Sequence, residues 1–502
     1  VSALSAPAPR RSVSSTLAGD RLGAFAIGTA IASSVAPLTV VALVVSSALA
    51  VTGLLGVPIA LLAVAAILMI FVVGYLAMAR HIPNAGAFYA YVAHGLGRPF
   101  GVGTAWLALA TYNCFQLCCY GGLGAAIAAP LAKQWFGLDL PWYVWAYAAL
   151  ILVAFLGAND VKLSERVLVV LVVAETLLVL AYSVAITLTP GFSFHFAGDA
   201  LSLHNLWGPA AGTLIVIGMT AFAGVEQSAV YIEESKNPKR TIPTATYATI
   251  ATIAAVYVFA ALVQICAGGP AIIDRAGKEG PDLFFNLAAV QLGHTAVDVG
   301  HVLLGTSLIA ALLAFHNAVA RYAFALGREG VLPRALGRTT LNGAPRNASL
   351  TQTIFAFCVL TTYAIAGWDP LVQLFYWGST SGGLGVLFLI TLTSIAVIFY
   401  FARGSRGESL WHRLIAPGVA SLILLGVSYL AVTNLGTLFG VDPGTGPARV
   451  VPIAALLIFV AGIAWGLILY RARPAVYQGI GRGTRSATAA SGLSAVLAGG
   501  NA

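Results

Sequence analysis

The sequence predicts an all-α polytopic membrane protein with twelve transmembrane helices. Of its 502 residues, 59% are hydrophobic and only 9% charged, and the mean hydropathy is +0.91. A soluble domain carries about 25% charged residues. Apolar stretches of about 18 residues or more recur along the length, the pattern of membrane-spanning helices. Two of those stretches are interrupted by small residues, glycine or proline, and inside lipid a broken helix persists only where it faces protein or a watery cavity.

In chain order, residues 1–20 are rich in Ser, Ala, Pro and Arg and read as a disordered cytoplasmic tail. They contain no apolar run of the kind a cleavable signal needs, so the first hydrophobic helix is expected to remain as a span. That span covers about 22–47 and is interrupted around GTAIASSVAPL at 28–38, where Pro37 removes a backbone hydrogen bond. The second span covers 54–79, and residues 81–101 are too polar to span and read as a short surface helix. Span three covers 101–131, with Asn113 and Gln116 among small residues. Spans four and five, 141–158 and 164–188, flank the charged loop 160–166. Glu175 falls about nine residues, or about 13 Å, from the charged end of span five, near mid-membrane.

Span six covers 207–232 and span seven 243–267. The polar segment 269–296 reads as an extramembrane loop with a helix at 282–292. Spans eight to twelve follow at 297–327, 349–367, 370–401, 411–434 and 450–470. The resulting organisation is an N-tail at 1–20, a transport core at 21–401, spans eleven and twelve within 402–474, and a disordered cytoplasmic C-tail at 475–502.

Charge supports this layout. Of 26 basic residues, only Lys133, Arg275, Lys278 and Arg449 fall on one face, which leaves 22 for the other. The positive-inside rule makes the rich face cytoplasmic and places both termini there. The net charge of +9 is thereby explained by topology, and nucleic acid is not implied. The five cysteines all lie in apolar runs and read as buried, reduced thiols.

The stretch 218–243, GMTAFAGVEQSAVYIEESKNPKRTIP, concentrates the chemistry. Gly224 weakens the sixth span, and two residues later Glu226 places a carboxylate in an apolar helix. Ionisable groups inside a membrane mark transport pathways by default. Spans one and six, both broken, stand five apart. Because five is odd, two such halves insert with opposite orientation, the inverted-repeat plan of secondary transporters.

Three segments resemble the amino acid–polyamine–organocation permeases: IPNAGAFYAYVAHGLGRPFG at 82–101, AFAGVEQSAVYIEESKNPKRTIPTA at 221–245 and FHNAVARYAFALGREGVLPRALG at 315–337. They stand in the order found in that family, and with the span count they cover roughly residues 20–400. The resemblance implies a LeuT-like 5+5 inverted repeat with discontinuous helices 1 and 6, and transport of amino acids or related amines. It implies that the backbone amides of Ser33, Ser34, Val35 and Ala36 meet a substrate carboxylate, in keeping with anion binding at a helix N-terminus. Carbonyls near Ala221, Phe222, Ala223 and Gly224 would take the α-ammonium, with Phe222 as a lid, Thr220 at a gating position and Asn113 as a polar contact. One departure is the first break itself, where Ala32-Ser33-Ser34-Val35 replaces the glycine–small–glycine unit common in the family.

Glu226 and Glu175 are the candidate proton-coupling groups, and the resemblance matches Glu175 to a position where some members carry a coupling lysine. The competing reading of each is a structural carboxyl that holds helix ends together. Thr306 and Ser307 form a hydroxyl pair that could serve sodium, although membrane hydroxyls more often bond their own backbone. His316 reads as a packing histidine. Glu233, Glu234, Lys236, Lys239 and Arg240 are candidates for closing an inner gate.

The expected function is import of an amino acid or amine across the inner or plasma membrane by alternating access. The proton gradient is preferred to sodium as driving force, and no cofactor is called for. The alternatives are an exchanger with no net proton movement and a membrane amino-acid sensor. An enzyme would need a convergent nucleophile–base or metal grouping, which the scattered histidines do not supply. The sequence leaves the substrate and the oligomeric state open.

Overall fold

Twelve apolar helices follow one another in the computed structural model, which describes residue 17 and residues 22–158, 161–207, 210–340 and 343–486. Among the described residues, eleven helical segments are long and apolar enough to cross a membrane: Ala24–Thr52, Val57–His81, Arg98–Phe136, Arg166–Thr187, Ala211–Tyr231, Pro238–Leu292, Thr295–Glu329, Arg346–Ala366, Pro370–Ala402, Trp411–Thr433 and Gly446–Ala472. The twelfth, Trp142–Ala158, has 17 residues and a length of about 25 Å. It takes the fourth place in the order, so the span count and sequence of the twelve-helix plan are met.

Span one is broken where Ala36 adopts the left-handed conformation (φ 52°) between the helical pieces Ala24–Val35 and Pro37–Thr39. That conformation is disfavoured for alanine and persists only where its surroundings hold it. Pro37 opens the second piece, where its missing N–H costs nothing. Span seven supports this segment: Tyr257 Oη donates to Val35 O, at the break, at 3.4 Å, and Gln264 Nε2 donates to Val41 O, in the wide turn Val40–Val44 that follows, at 3.2 Å.

Span six breaks after Ala221, turns through Phe222, Ala223 and Gly224, and continues as a tight 3₁₀ stretch, Val225–Tyr231. Gly224 has φ 118°, and a Cβ there would lie 2.6 Å from Ser34 Cβ. Both constraints demand glycine. The two breaks therefore touch, at Gly224 and Ser34.

Between spans seven and eight, helices Ile272–Glu279 and Leu283–Leu292 lie on the face opposite the arginines, the second where the sequence expects a helix at 282–292. The expectation of a disordered C-tail from 475 is corrected: Pro474–Gly479 is helical, a 3₁₀ turn spans Gly483–Arg485, and Val476, Ile480 and Ser486 are buried. Apolar anchors within a polar-looking segment account for the difference. Leu17, expected in the N-tail, packs against Ala85, Ala320 and Phe324. The remainder of both tails, 1–16, 18–21 and 487–502, and Asp160 of the charged loop lie outside the described residues. The cysteines are free thiols: Cys118, Cys119 and Cys266 are buried as expected, whereas Cys114 is only partly buried and Cys358 is exposed, which corrects the expectation for these two.

Candidate functional site

The two breaks form the floor of a cavity of about 430 Å³. Ser34, Val35, Ala36 and Thr39 reach it from span one, and Thr220 and Ala223 from span six. Its walls continue along Val40–Ser47 of span one to Ala276, Pro281, Leu435 and Leu438, all on the face opposite the arginines. The cavity thus leads from the breaks toward that face.

At the floor, backbone groups are unevenly satisfied. In span six, Phe222 N–H donates to Met219 O and Ala223 N–H to Thr220 O, while Val225 N–H donates to Phe222 O. Among the described residues the carbonyls of Ala221 and Ala223 receive no backbone N–H at this turn. Such carbonyls suit a cationic or N–H-bearing ligand. In span one the amide expected to be freest is already used, since Ala36 N–H donates to Ala32 O at 3.0 Å. Ser33, Ser34 and Val35 belong to the helical piece that ends at the break, whose N-terminus points the other way. The N-terminal turn that starts at the break is Pro37-Leu38-Thr39, and Leu38 N–H donates to Glu175 Oε2 at 3.3 Å.

Side chains at the predicted positions divide into two groups. Ser34 lines the cavity and donates to Gln227 Oε1 at 2.9 Å, tying the two broken spans together. Ser33 turns away and donates to Thr29 O at 2.8 Å. Thr220 lines the cavity with its hydroxyl on Val216 O. Phe222 is fully buried off the cavity, edge-on to Tyr257 at 5.5 Å. Two aromatic pairs do line the cavity: Phe115 and Phe315, stacked at 5.0 Å and 7°, and Phe375 and Tyr376, edge-on at 5.1 Å. Asn113 also faces elsewhere: Nδ2 donates to Leu109 O, and Oδ1 accepts from Gln352 Nε2 at 2.6 Å. It belongs to a buried polar chain in which Gln352 also donates to Gln116, Gln116 donates to His316 Nδ1 at 3.2 Å, and His316 Nε2 donates to Ser349 Oγ at 2.8 Å. Sequence reasoning missed this chain, because nothing local reveals that spans three, eight and nine turn their polar residues toward one another.

Both membrane carboxyls are buried beside the floor. Glu226 Oε2 accepts Gly224 N–H at 2.8 Å, and Oε1 accepts Tyr112 Oη–H at 3.0 Å. Tyr75 Oη donates to the Glu226 carbonyl at 2.7 Å. This carboxyl buttresses the break of span six. Glu175 joins the break of span one to span eight, bonding Leu38 N–H and Ser307, whose hydroxyl lies 3.1 Å from Thr39 Oγ1. Its second oxygen has no hydrogen-bond partner among the described residues. Thr306 bonds its own backbone at Leu303 O.

Toward the arginine-rich face the path is shut. Arg321 Nε and Nη2 grip Glu234 at 2.5 and 3.0 Å, and Arg328 grips Glu233 at 2.6 and 2.7 Å. Leu22 pairs with the chain after span six, accepting Lys236 N–H at 2.8 Å and donating to Glu234 O at 3.0 Å. The geometry is that of an alternating-access carrier, with a central site reachable from one side and closed on the other.

A family model described as amino acid permease matches residues 22–466. The branched-chain amino acid permease BcaP of Lactococcus lactis subsp. cremoris (strain MG1363) is 26% identical over 360 residues, covering 67% of this chain and 72% of that protein. The histidine permease HisP of the same strain is 24% identical over 414 residues, covering 77% and 83%. The lysine-specific permease LysP of that strain is 24% identical over 425 residues, covering 79% and 76%. Among solved structures, the crystal structure of MhsT in complex with L-phenylalanine aligns with a TM-score of 0.49 at 15% identity, over 82% of this chain and 99% of that one.

Proposed function

The chain belongs to the amino acid permease family, a multi-pass membrane carrier of amino acids or related amines by secondary transport, and on that premise we propose proton-coupled import. The single observation that supports the site is the contact of the two helix breaks, Gly224 against Ser34, at the floor of the cavity. The substrate sits there, with its α-ammonium on the carbonyls of Ala221 and Ala223 and its carboxylate toward Ser34 and Thr39, since the amides of Ala36 and Leu38 are already engaged. Thr220 borders the same space.

Orientation follows from charge. The arginine-rich face is cytoplasmic and both termini lie there, in the inner or plasma membrane. The described state is then open outward and closed inward by Glu234–Arg321 and Glu233–Arg328.

Glu175 is the better-placed coupling group, since one of its oxygens has no partner among the described residues while it touches the span-one break and Ser307. Both oxygens of Glu226 are engaged in holding Gly224 and Tyr112, which supports a positioning role with coupling second. Purified protein in proteoliposomes tests the proposal. An imposed inward proton gradient drives accumulation of labelled amino acid without sodium. Uptake that needs internal substrate and ignores the gradient establishes exchange instead, and uptake that needs sodium transfers the coupling to the Ser307 and Thr39 hydroxyls.

A further inference from the structure

We propose that the substrate is an amino acid with an uncharged, apolar side chain, and that Phe115, Cys118, Cys119, Ala311 and Phe315 form the pocket for that side chain. This rests on the cavity above the helix breaks being the substrate site. Among the described residues its walls carry no Asp, Glu, Lys, Arg or His side chain. The polar groups at the floor, Ser34, Thr39, Thr220 and the turn carbonyls, are matched to the amino and carboxyl groups that all amino acids share. Beside them the wall is thiol, methyl and aromatic ring. The membrane carboxyls Glu175 and Glu226 do not line the cavity, and both oxygens of Glu226 are engaged by Gly224 N–H and the Tyr112 hydroxyl. A side-chain ammonium, guanidinium or carboxylate would lose its water there without a counter-charge, which is strongly unfavourable. An aliphatic or aromatic side chain gains by the same burial. The relatives span branched-chain, histidine and lysine permeases, so the lining and not the likeness separates these classes.

The pocket wall is set by span ten. A Cβ at Gly382 would lie 2.8 Å from the Phe115 ring, which is already stacked on Phe315. A methyl at 382 therefore pushes that ring toward the cavity.

The test measures uptake of labelled leucine, lysine and glutamate in parallel, with unlabelled alanine, leucine, phenylalanine, lysine, putrescine and glutamate as competitors. Alkylation of Cys118 and Cys119 by N-ethylmaleimide is read by peptide mass spectrometry. Leucine or phenylalanine is expected to half-saturate at least about a hundredfold below lysine, putrescine and glutamate, a gap of about 2.7 kcal/mol. The same compounds slow alkylation of the two thiols. Gly382→Ala, or Ala311→Val where the first does not fold, shifts preference from leucine toward alanine by about tenfold. Strongest competition by lysine, putrescine or glutamate overturns the assignment of substrate class and leaves the permease reading standing. Absence of uptake and of thiol protection by every compound overturns both.

An independent feature lies at the arginine-rich face. Glu329, fully buried at the end of span eight, receives Gly481 N–H at 2.6 Å and Gly483 N–H at 2.7 Å from the C-terminal segment, together with Asn84 Nδ2 at 2.8 Å and the Tyr89 hydroxyl. A Cβ at Gly483 would lie 3.4 Å from Arg328 Nη2, so the segment covers the ion pair Arg328–Glu233 that shuts this face. We infer that residues 480–486 act as a releasable clamp that must leave Glu329 when the face opens. The reporter is a cysteine at Ala320→Cys in a chain otherwise free of cysteine, reconstituted and labelled by an impermeant maleimide from the arginine-rich side. Truncation after Gly479, or the full-length Gly481→Pro/Gly483→Pro variant that removes both N–H donors, is expected to raise labelling at least about fivefold by populating the open state. Unchanged labelling in variants that melt as the parent overturns the clamp. Failure of both variants to fold shows a purely structural segment and overturns it equally.

Discussion

Glu234 and Arg321 meet as a two-pronged ion pair at 2.5 and 3.0 Å, with side chains only 1% and 5% exposed. The guanidinium also lies 4.6 Å over the Tyr231 ring. Because Leu22 is hydrogen-bonded to the backbone of Glu234 and Lys236, this pair fastens the segments flanking spans one and six to span eight. Removing one member of a buried pair leaves an uncompensated charge, a loss of about 3–5 kcal/mol. Glu234→Gln is expected to lose that much stability, and Glu234→Gln/Arg321→Met to regain part of it. Thermal unfolding of the single and double variants closes the cycle, and additive losses would show that the two residues act separately.

Gly224 and Ser34 supply the second prediction. A methyl at 224 meets Ser34 Cβ at 2.6 Å and also opposes a φ of 118°. Strain and overpacking together destabilise by about 1–3 kcal/mol. Gly224→Ala should therefore lower both the melting temperature and amino acid binding, while Ser34→Gly, which vacates the contact, restores part of the loss in the double variant. Binding by Gly224→Ala at the parental level would show that the breaks need not touch.

The twelve spans were legible because hydropathy is a property of composition, and the breaks because Pro37 and Gly224 interrupt apolar runs. Side-chain direction was not legible. Asn113 turns to Gln352 and Phe222 to Tyr257, choices made by neighbours 239 and 35 positions away. Glu233 and Glu234 are gate candidates from their charge alone, but their partners Arg328 and Arg321 become visible only when span eight is packed against the loop after span six. The order in 475–486 escaped the sequence for a related reason. Its glycines resemble those of a mobile tail until Glu329 is seen to take their amides.

Arg80 and Glu408 provide a pH-dependent contact between span two and the loop after span ten, with bonds of 3.0 and 2.8 Å. Partial burial pushes the Glu408 carboxyl up, but Arg80, aided by His81, prevails and holds it below the usual carboxylate range. A carboxyl depressed on folding adds stability above its unfolded value of about 4.3, and that stability is lost as pH falls through the folded value. Arg80 is partly exposed, so the gain is no more than about 1 kcal/mol. The melting temperature of Glu408→Gln should fall below that of the parent at pH 7, with the gap closing as pH drops below about 4. A gap that persists at low pH would assign the difference to packing.

Glu175 and Glu226 predict opposite outcomes for the same substitution. Glutamine at 226 can direct its carbonyl to Gly224 N–H and its amide to the Tyr112 oxygen, so both contacts of the buttress survive. Glu226→Gln should keep its fold and its substrate counterflow, whereas Glu226→Leu strands a buried N–H and a buried hydroxyl at about 1–3 kcal/mol each. Glutamine at 175 retains an acceptor for Leu38 N–H but has no proton to exchange. Glu175→Gln should accordingly lose proton-driven accumulation by at least about tenfold while counterflow, which needs no net driving force, continues. Measuring accumulation and counterflow on the same vesicles separates the roles. If Glu226→Gln loses accumulation and Glu175→Gln does not, the coupling carboxyl belongs to span six, and Glu175 is the one that holds a break together.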